Sequence, residues 1–129
     1  MSTISTTIAP WLHVKGSVQA VTFYKLAFNA TEAYRMDIPD GTVVAKLSVN
    51  GAEFWVGEES APGNLGPQSL GGVSARIILT VDDPDTLFAQ VLAAGATQVY
   101  AITEEYGWRI GRLVDPFGHH WEIGKPLDK

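Results

Sequence analysis

The 129-residue chain contains no cysteine. That absence excludes disulfides, thiolate nucleophiles and thiolate metal sites together, and it suits a cytoplasmic setting. No apolar run approaches the roughly 20 residues that a membrane-crossing helix requires. The opening Met1-Ser2-Thr3-Ile4-Ser5-Thr6-Thr7 has no basic stretch followed by an apolar one, so no signal peptide is expected. Positive charge is scarce, with 9 Lys and Arg against 14 Asp and Glu and a net charge of −5. A phosphate backbone needs a basic surface, so nucleic acid is not an expected partner. Phosphate loops are missing too. Gly63-Asn64-Leu65-Gly66 and Gly71-Gly72 do not lie between a strand and a helix, as a phosphate cradle must. Neither a Ser-His-Asp signature nor a dinucleotide fingerprint is present.

What the chain does have is a repeat. Asn29-Ala30-Thr31-Glu32-Ala33-Tyr34 returns as Gly95-Ala96-Thr97-Gln98-Val99-Tyr100, 66 positions later and about half the chain away. Trp11-Leu12-His13-Val14 shares its apolar, extended character with Ile78-Leu79-Thr80-Val81, 67 positions on. Gly51 to Gly57 aligns with Gly118 to Gly124 at the same 67. Three blocks agreeing in order and spacing point to a duplicated unit. The switch between 66 and 67 costs one residue in the helix or its turn.

Each unit reads as strand, helix, then three strands. In the first, Ile8 to Val14 is a strand broken early by Pro10. Ser17 is the expected cap of a helix running from Val18 to about Phe28. Strands over Ala30–Asp37, Thr42–Val49 and Glu53–Val56 are separated by Asp40-Gly41 and Asn50-Gly51, both hairpin signals. In the second, Ile77–Val81 is a strand, Asp83 caps, Pro84 takes the first helical position and Gly95 stops the helix. Thr97–Thr103, Arg109–Val114 and His119–Ile123 follow as strands, the last two joined by the turn Asp115-Pro116-Phe117-Gly118. Glu58 to Ser74, rich in Gly, Pro, Ser and Asn, reads as an unstructured linker. The expected organisation is one α+β domain, with modules over 8–57 and 75–124 and a linker over 58–74.

Two such βαβββ modules resemble the vicinal oxygen chelate superfamily of glyoxalases, bleomycin-resistance proteins and extradiol dioxygenases. Leu12-His13-Val14 with Val21 to Tyr24 is similar to the family's first strand and helix. Leu113 to Ile123, reading LVDPFGHHWEI, is similar to its last hairpin, and Glu104 to Gly111 is most like the PhnB-like branch. The resemblance implies paired, curved mixed sheets around a pocket, and a homodimer. It does not fix an activity, because sites differ on one fold.

Enzymes of the superfamily usually hold one divalent metal with four side chains, from the first and last strands of each module. Carried over by the repeat, these positions are Ala9, Trp55, Arg76 and Glu122. Only Glu122 can coordinate: alanine and tryptophan offer no useful donor, and a guanidinium has no lone pair to give. One carboxylate is too few for a divalent ion. No metal or other cofactor is therefore expected. Arg76 and Glu122 are instead expected to form a pair inside the pocket. Strand alternation then adds Trp11, His13 and His120 to the same walls. Trp108 is a candidate for the pocket mouth. For Arg109, a ligand contact and a structural ion pair are both open. The ligand-binding candidates are thus Trp11, His13, Trp55, Arg76, Trp108, Arg109, His120 and Glu122. Flat apolar walls with a few convergent polar groups suit a small aromatic or amphipathic molecule. This is the pattern of a bleomycin-resistance-type binder that sequesters an antibiotic or metabolite. The alternative is a lyase or isomerase with Glu122 as general base, with or without a divalent metal.

Overall fold

The computed structural model describes residues 3–127. The first module runs β1 (Trp11–Val14), α1 (Ser17–Phe28), β2 (Thr31–Asp37), β3 (Val43–Val49) and β4 (Ala52–Glu58). The linker carries a short helix, α2 (Pro67–Leu70). The second module runs β5 (Arg76–Thr80), α3 (Pro84–Ala94), β6 (Thr97–Glu105), β7 (Trp108–Val114) and β8 (His120–Pro126). The strands form two four-stranded sheets, ordered β1-β4-β3-β2 and β5-β8-β7-β6. In each, the first pair is parallel and the others antiparallel. Among the described residues no helix is long and apolar enough to cross a membrane.

The duplication holds residue by residue. Trp11 lies opposite Trp55 in the first sheet, and Ile78 lies opposite Glu122 in the second. The register shifts between Glu32 and Tyr34 and again between Gln98 and Tyr100, so the second strand of each module is bulged at the same place. The change of offset is absorbed as expected: α1 has 12 residues and α3 has 11.

Three local expectations are corrected. β1 begins at Trp11, not Ile8, and residues 3–10 form no strand. The linker is not structureless, because Pro67 starts α2 and Ser60 bridges to Asn64. Ser17 does not cap α1. Its hydroxyl accepts from the Val43 amide at 3.0 Å. The Glu58 carboxylate caps the helix instead, accepting from the Gly16 and Ser17 amides at 3.0 and 2.8 Å. A carboxylate at a helix N-terminus satisfies free amides and faces the positive end of the dipole. Asp83 caps α3 as expected, accepting from the Thr86 amide.

Both sheets turn one face to a shared core. Leu12 and Val14 of β1, Phe54 and Val56 of β4, and Trp121 and Ile123 of β8 are buried there with the helices. Tyr24 and Phe28 of α1 reach across the modules to Trp121, with ring centroids 5.9 and 4.6 Å apart. At the centre lies a buried carboxylate, Asp115, in the turn before β8. It accepts hydrogen bonds from the Tyr24 hydroxyl, the Trp121 Nε1 at 2.9 Å, and the amides of Phe117 and His119 at 2.9 and 3.0 Å. Burial, reinforced by the Asp115 charge, pushes the Tyr24 phenol well above its usual range. The second seam is smaller: Gln90 of α3 donates to the Ala27 carbonyl near the end of α1, at 2.9 Å.

Tyr24→Phe is expected to cost about 1–3 kcal/mol, because it strands one acceptor of a buried carboxylate; urea denaturation with an unchanged far-UV spectrum measures it. Glu58→Ala is expected to cost about 1 kcal/mol at neutral pH. Burial pushes the Glu58 carboxyl up, but the amides of Gly16 and Ser17 together outweigh it, so its pKa lies below the usual glutamate range. A depressed folded-state pKa means the unfolded chain binds the proton more readily, so the stabilisation is lost as pH falls through the folded value. The gap between wild type and Glu58→Ala should therefore close in acid below pH 4.5, and a gap that stays constant would contradict this assignment.

Candidate functional site

The other face of each sheet points away from the core, and there the alternation places the candidate residues. Across the first sheet one row reads Trp11, Trp55, Lys46, Tyr34. Across the second the matching row reads Ile78, Glu122, Arg112, Tyr100. Both rows end on the tyrosine that closes the repeated hexapeptide, and both have a cation in third place.

The first row is an aromatic shelf. Trp11 and Trp55 stack, with centroids 5.6 Å apart and planes 14° apart. Tyr34 meets Trp55 edge-on at 5.9 Å. The Lys46 Nζ sits 5.3 Å from the centre of the Trp55 ring and 3.5 Å from Glu53 Oε1. Gly57 makes room for this stack, because a Cβ there would come within 2.7 Å of the Trp11 ring. Trp11 and Tyr34 remain about half exposed, at 46% and 48%. Stacked aromatics left open to water form a surface for a flat apolar body.

Ile78, Glu122 and Tyr100 of the second row line a cup of about 430 Å³, walled further by Ile110, Trp108 and Tyr106. Glu122 sits at its base, 7% exposed. Arg76 Nε lies 3.0 Å from Glu122 Oε2, and the Tyr100 hydroxyl donates to the same oxygen at 3.1 Å. Burial, then this hydrogen bond, raises the Tyr100 pKa. Arg112 Nε donates to His120 Nδ1 at 3.2 Å. Burial, then the charge of Arg112, lowers the His120 pKa, so the ring is neutral at pH 7 and can accept that bond.

His13 and His120 also line a groove of about 530 Å³ between β1, the linker and the start of β5. His119 Nε2 lies 2.9 Å from the His13 carbonyl oxygen, and His13 Nδ1 is buried without a partner.

Among the expected residues, Trp11 and Trp55 meet on one face, and Arg76, Trp108 and Glu122 meet on the other. The two groups belong to different sheets, and Trp11 instead shares the groove with His13 and His120. Of the two roles open for Arg109, the structure shows the ion pair: it lies on the opposite face of β7 from Trp108 and Ile110, and its Nε donates to Asp85 Oδ1 at 2.8 Å. It ties β7 to the start of α3. Tyr34, Lys46, Tyr100 and Arg112 went unmarked by the sequence argument. The repeat contained their signal, since each tyrosine and each cation falls 66 residues from its counterpart.

The positions that carry a metal in enzymes of this fold do not fit one here. Of Ala9, Trp55, Arg76 and Glu122 only the last is a donor, and the Arg76 guanidinium stands against it. Among the described residues no group of three or more His, Asp or Glu side chains could hold an ion.

The sequence profile described as a glyoxalase-like domain matches residues 11–124. An uncharacterised protein of Mycobacterium bovis is 39% identical over 126 residues, covering 93% of this chain and 83% of the relative. The X-ray structure of an Arabidopsis thaliana gene product is 30% identical, with a TM-score of 0.69 over 95% of this chain and 98% of that one. The crystal structure of TioX from Micromonospora sp. is 25% identical, with a TM-score of 0.74 over 95% and 100%. The chain belongs to the glyoxalase-like family, within the vicinal oxygen chelate superfamily. The match does not single out the PhnB-like branch.

A double-mutant cycle on Arg76→Met and Glu122→Gln, read by urea denaturation, is expected to give a coupling on the order of 1 kcal/mol. That exceeds most exposed pairs because one partner is buried. A coupling indistinguishable from zero would mean that the two side chains do not interact in solution.

Proposed function

We propose that the protein binds a small aromatic or amphipathic molecule in a metal-free pocket, as bleomycin-resistance-type proteins do. The observation that carries this reading is the pair of complementary outer faces. One is an open tryptophan shelf and the other a polar-based cup, and each is only half of an enclosure. Ligand sites normally cover most of a small molecule's surface, which neither wall does alone. A second copy of the chain completes them, the shelf of one protomer facing the cup of its partner. Free edges support this: β1 and β5 each have one neighbouring strand. So do the exposed apolar side chains beside them, Ile8 at 96% and Ile78 at 53%. Such a homodimer has two equivalent sites by symmetry. Sequestration of an antibiotic or metabolite is the role this arrangement serves, in a cytoplasmic setting that a cysteine-free chain suits.

A second reading is favoured by one contact. Glu122 is buried and hydrogen-bonded to Tyr100, an arrangement that a lyase or isomerase could use as base and acid. Turnover of a bound molecule that Glu122→Gln abolishes would decide for that reading.

Intrinsic tryptophan fluorescence, titrated with a panel of planar antibiotics and aromatic metabolites, tests the binding reading. Quenching by at least one compound is expected, with Trp55→Ala raising its Kd at least tenfold. Sedimentation is expected to give a dimer. A monomer at micromolar concentration, or an affinity indifferent to Trp55→Ala, would refute the composite pocket.

A further inference from the structure

The outer face of the second sheet carries more positive charge around its cup than its one buried acid requires. Arg76 lies 3.0 Å from Glu122, and Arg112 is opposite Glu122 in the same row. The partner of Arg112 is His120, which is neutral, so Arg112 is compensated by no carboxylate within 4 Å among the described residues. Arg76 lies close to Glu122 but donates no well-aligned hydrogen bond to it or to any other described residue. Its side chain is 51% exposed, on the wall of the cup. Two guanidiniums against one carboxylate leave a net positive charge around Glu122, in a chain whose net charge is −5. The other acid on the wall, Glu105, is opposite Trp108, two rows along the strands from Arg112. Four residues of strand separate those rows by about 13 Å. That exceeds the screening length of about 8 Å in physiological salt, so Glu105 does not cancel the charge at the base.

We propose that this cup is an oxyanion site. Resting on the binding function above, it takes the carboxylate, or a comparable oxyanion, of a ligand whose planar part lies on the tryptophan shelf of the partner. Arg76 presents its guanidinium on the cup wall and Arg112 stands in the same row as Glu122, so both can supply the charged donors that a carboxylate matches. Glu122 and Tyr100 position Arg76 and do not contact the anion. The guanidinium thus provides here the positive charge that a metal provides elsewhere in this fold. A free amine in the same place would meet two like charges, so the site selects against cationic ligands.

Equilibrium dialysis and saturation-transfer NMR on the full chain test this with three probes of one shape: 2-naphthoate, 2-naphthamide and 2-naphthylmethylamine. The acid is expected to bind at least tenfold tighter than the amide, and the amine more weakly than both. Arg76→Gln and Arg112→Gln should each shrink the acid's advantage, and the pair should abolish it. Arg76→Lys should retain part of it, which guards against a variant that fails to fold. Added salt should weaken the acid alone. Trp55→Ala should weaken acid and amide alike, which separates the shelf from the anion site. If amide and acid bind equally, or if neither arginine variant changes their ratio, the oxyanion site is wrong while the binding function stands. If no probe binds wild type at millimolar concentration, both fall.

Discussion

One buried carboxylate holds the two modules together. Asp115 lies in the last turn, between β7 and β8, and its four donors come from three places: its own turn, the following strand β8, and helix α1 of the other module. A buried charge is tolerable only when every lone pair is met. The Tyr24 hydroxyl can meet Asp115 only if α1 lies against the second sheet. The demand for satisfaction therefore fixes how the modules dock, and the aromatic packing of Tyr24, Phe28 and Phe54 on Trp121 follows from that docking. Through the same turn, His119 reaches the His13 carbonyl and anchors the end of β1.

Because the core uses one face of each sheet, the other faces are free to differ. The duplicated frame shows how far they have done so. Registers, bulges and the closing tyrosines match, yet Trp11 and Trp55 stand where the other module has Ile78 and Glu122. One row became an apolar shelf and the other a polar base. Neither change touches the apolar core, so fold and site could change independently. The cation in third place, Lys46 or Arg112, is common to both rows and is used differently in each. Lys46 lies over a tryptophan ring, whereas Arg112 leans on a neutral histidine.

Much of the fold was legible because its signals are local or periodic. The hexapeptide repeat, Asp83-Pro84 at the start of α3 and the turn at Asp115 each state their structure over a few residues. The cap of α1 was not legible, because Glu58 is 41 residues from Ser17 and no local rule links them. The helix in the linker was hidden by its glycines, although Pro67 is an ordinary first helical residue. For the site, the repeat carried the family's metal positions onto Trp55, Arg76 and Glu122, and the residue types of the last two predicted the ion pair. Tyr100 and Arg112 escaped because the argument followed the metal positions of the family, and these two residues lie on strands that supply none. Arg109 was assigned to either role because sequence alone does not say which face of β7 turns inward. Its neighbour Gly111 is buried on the helix side, and that settles the parity.

In the proposed metal-free pocket, the Arg76 guanidinium occupies the role of the metal ion. It neutralises the one carboxylate that the family pattern leaves in place, and it leaves no donor set for an ion. Calorimetric titration of Mn(II), Ni(II) and Zn(II) into chelator-treated protein tests this most directly. The account predicts no binding event that depends on Glu122, with wild type and Glu122→Gln giving the same trace. One equivalent of metal per chain, bound by wild type and lost in Glu122→Gln, would contradict it.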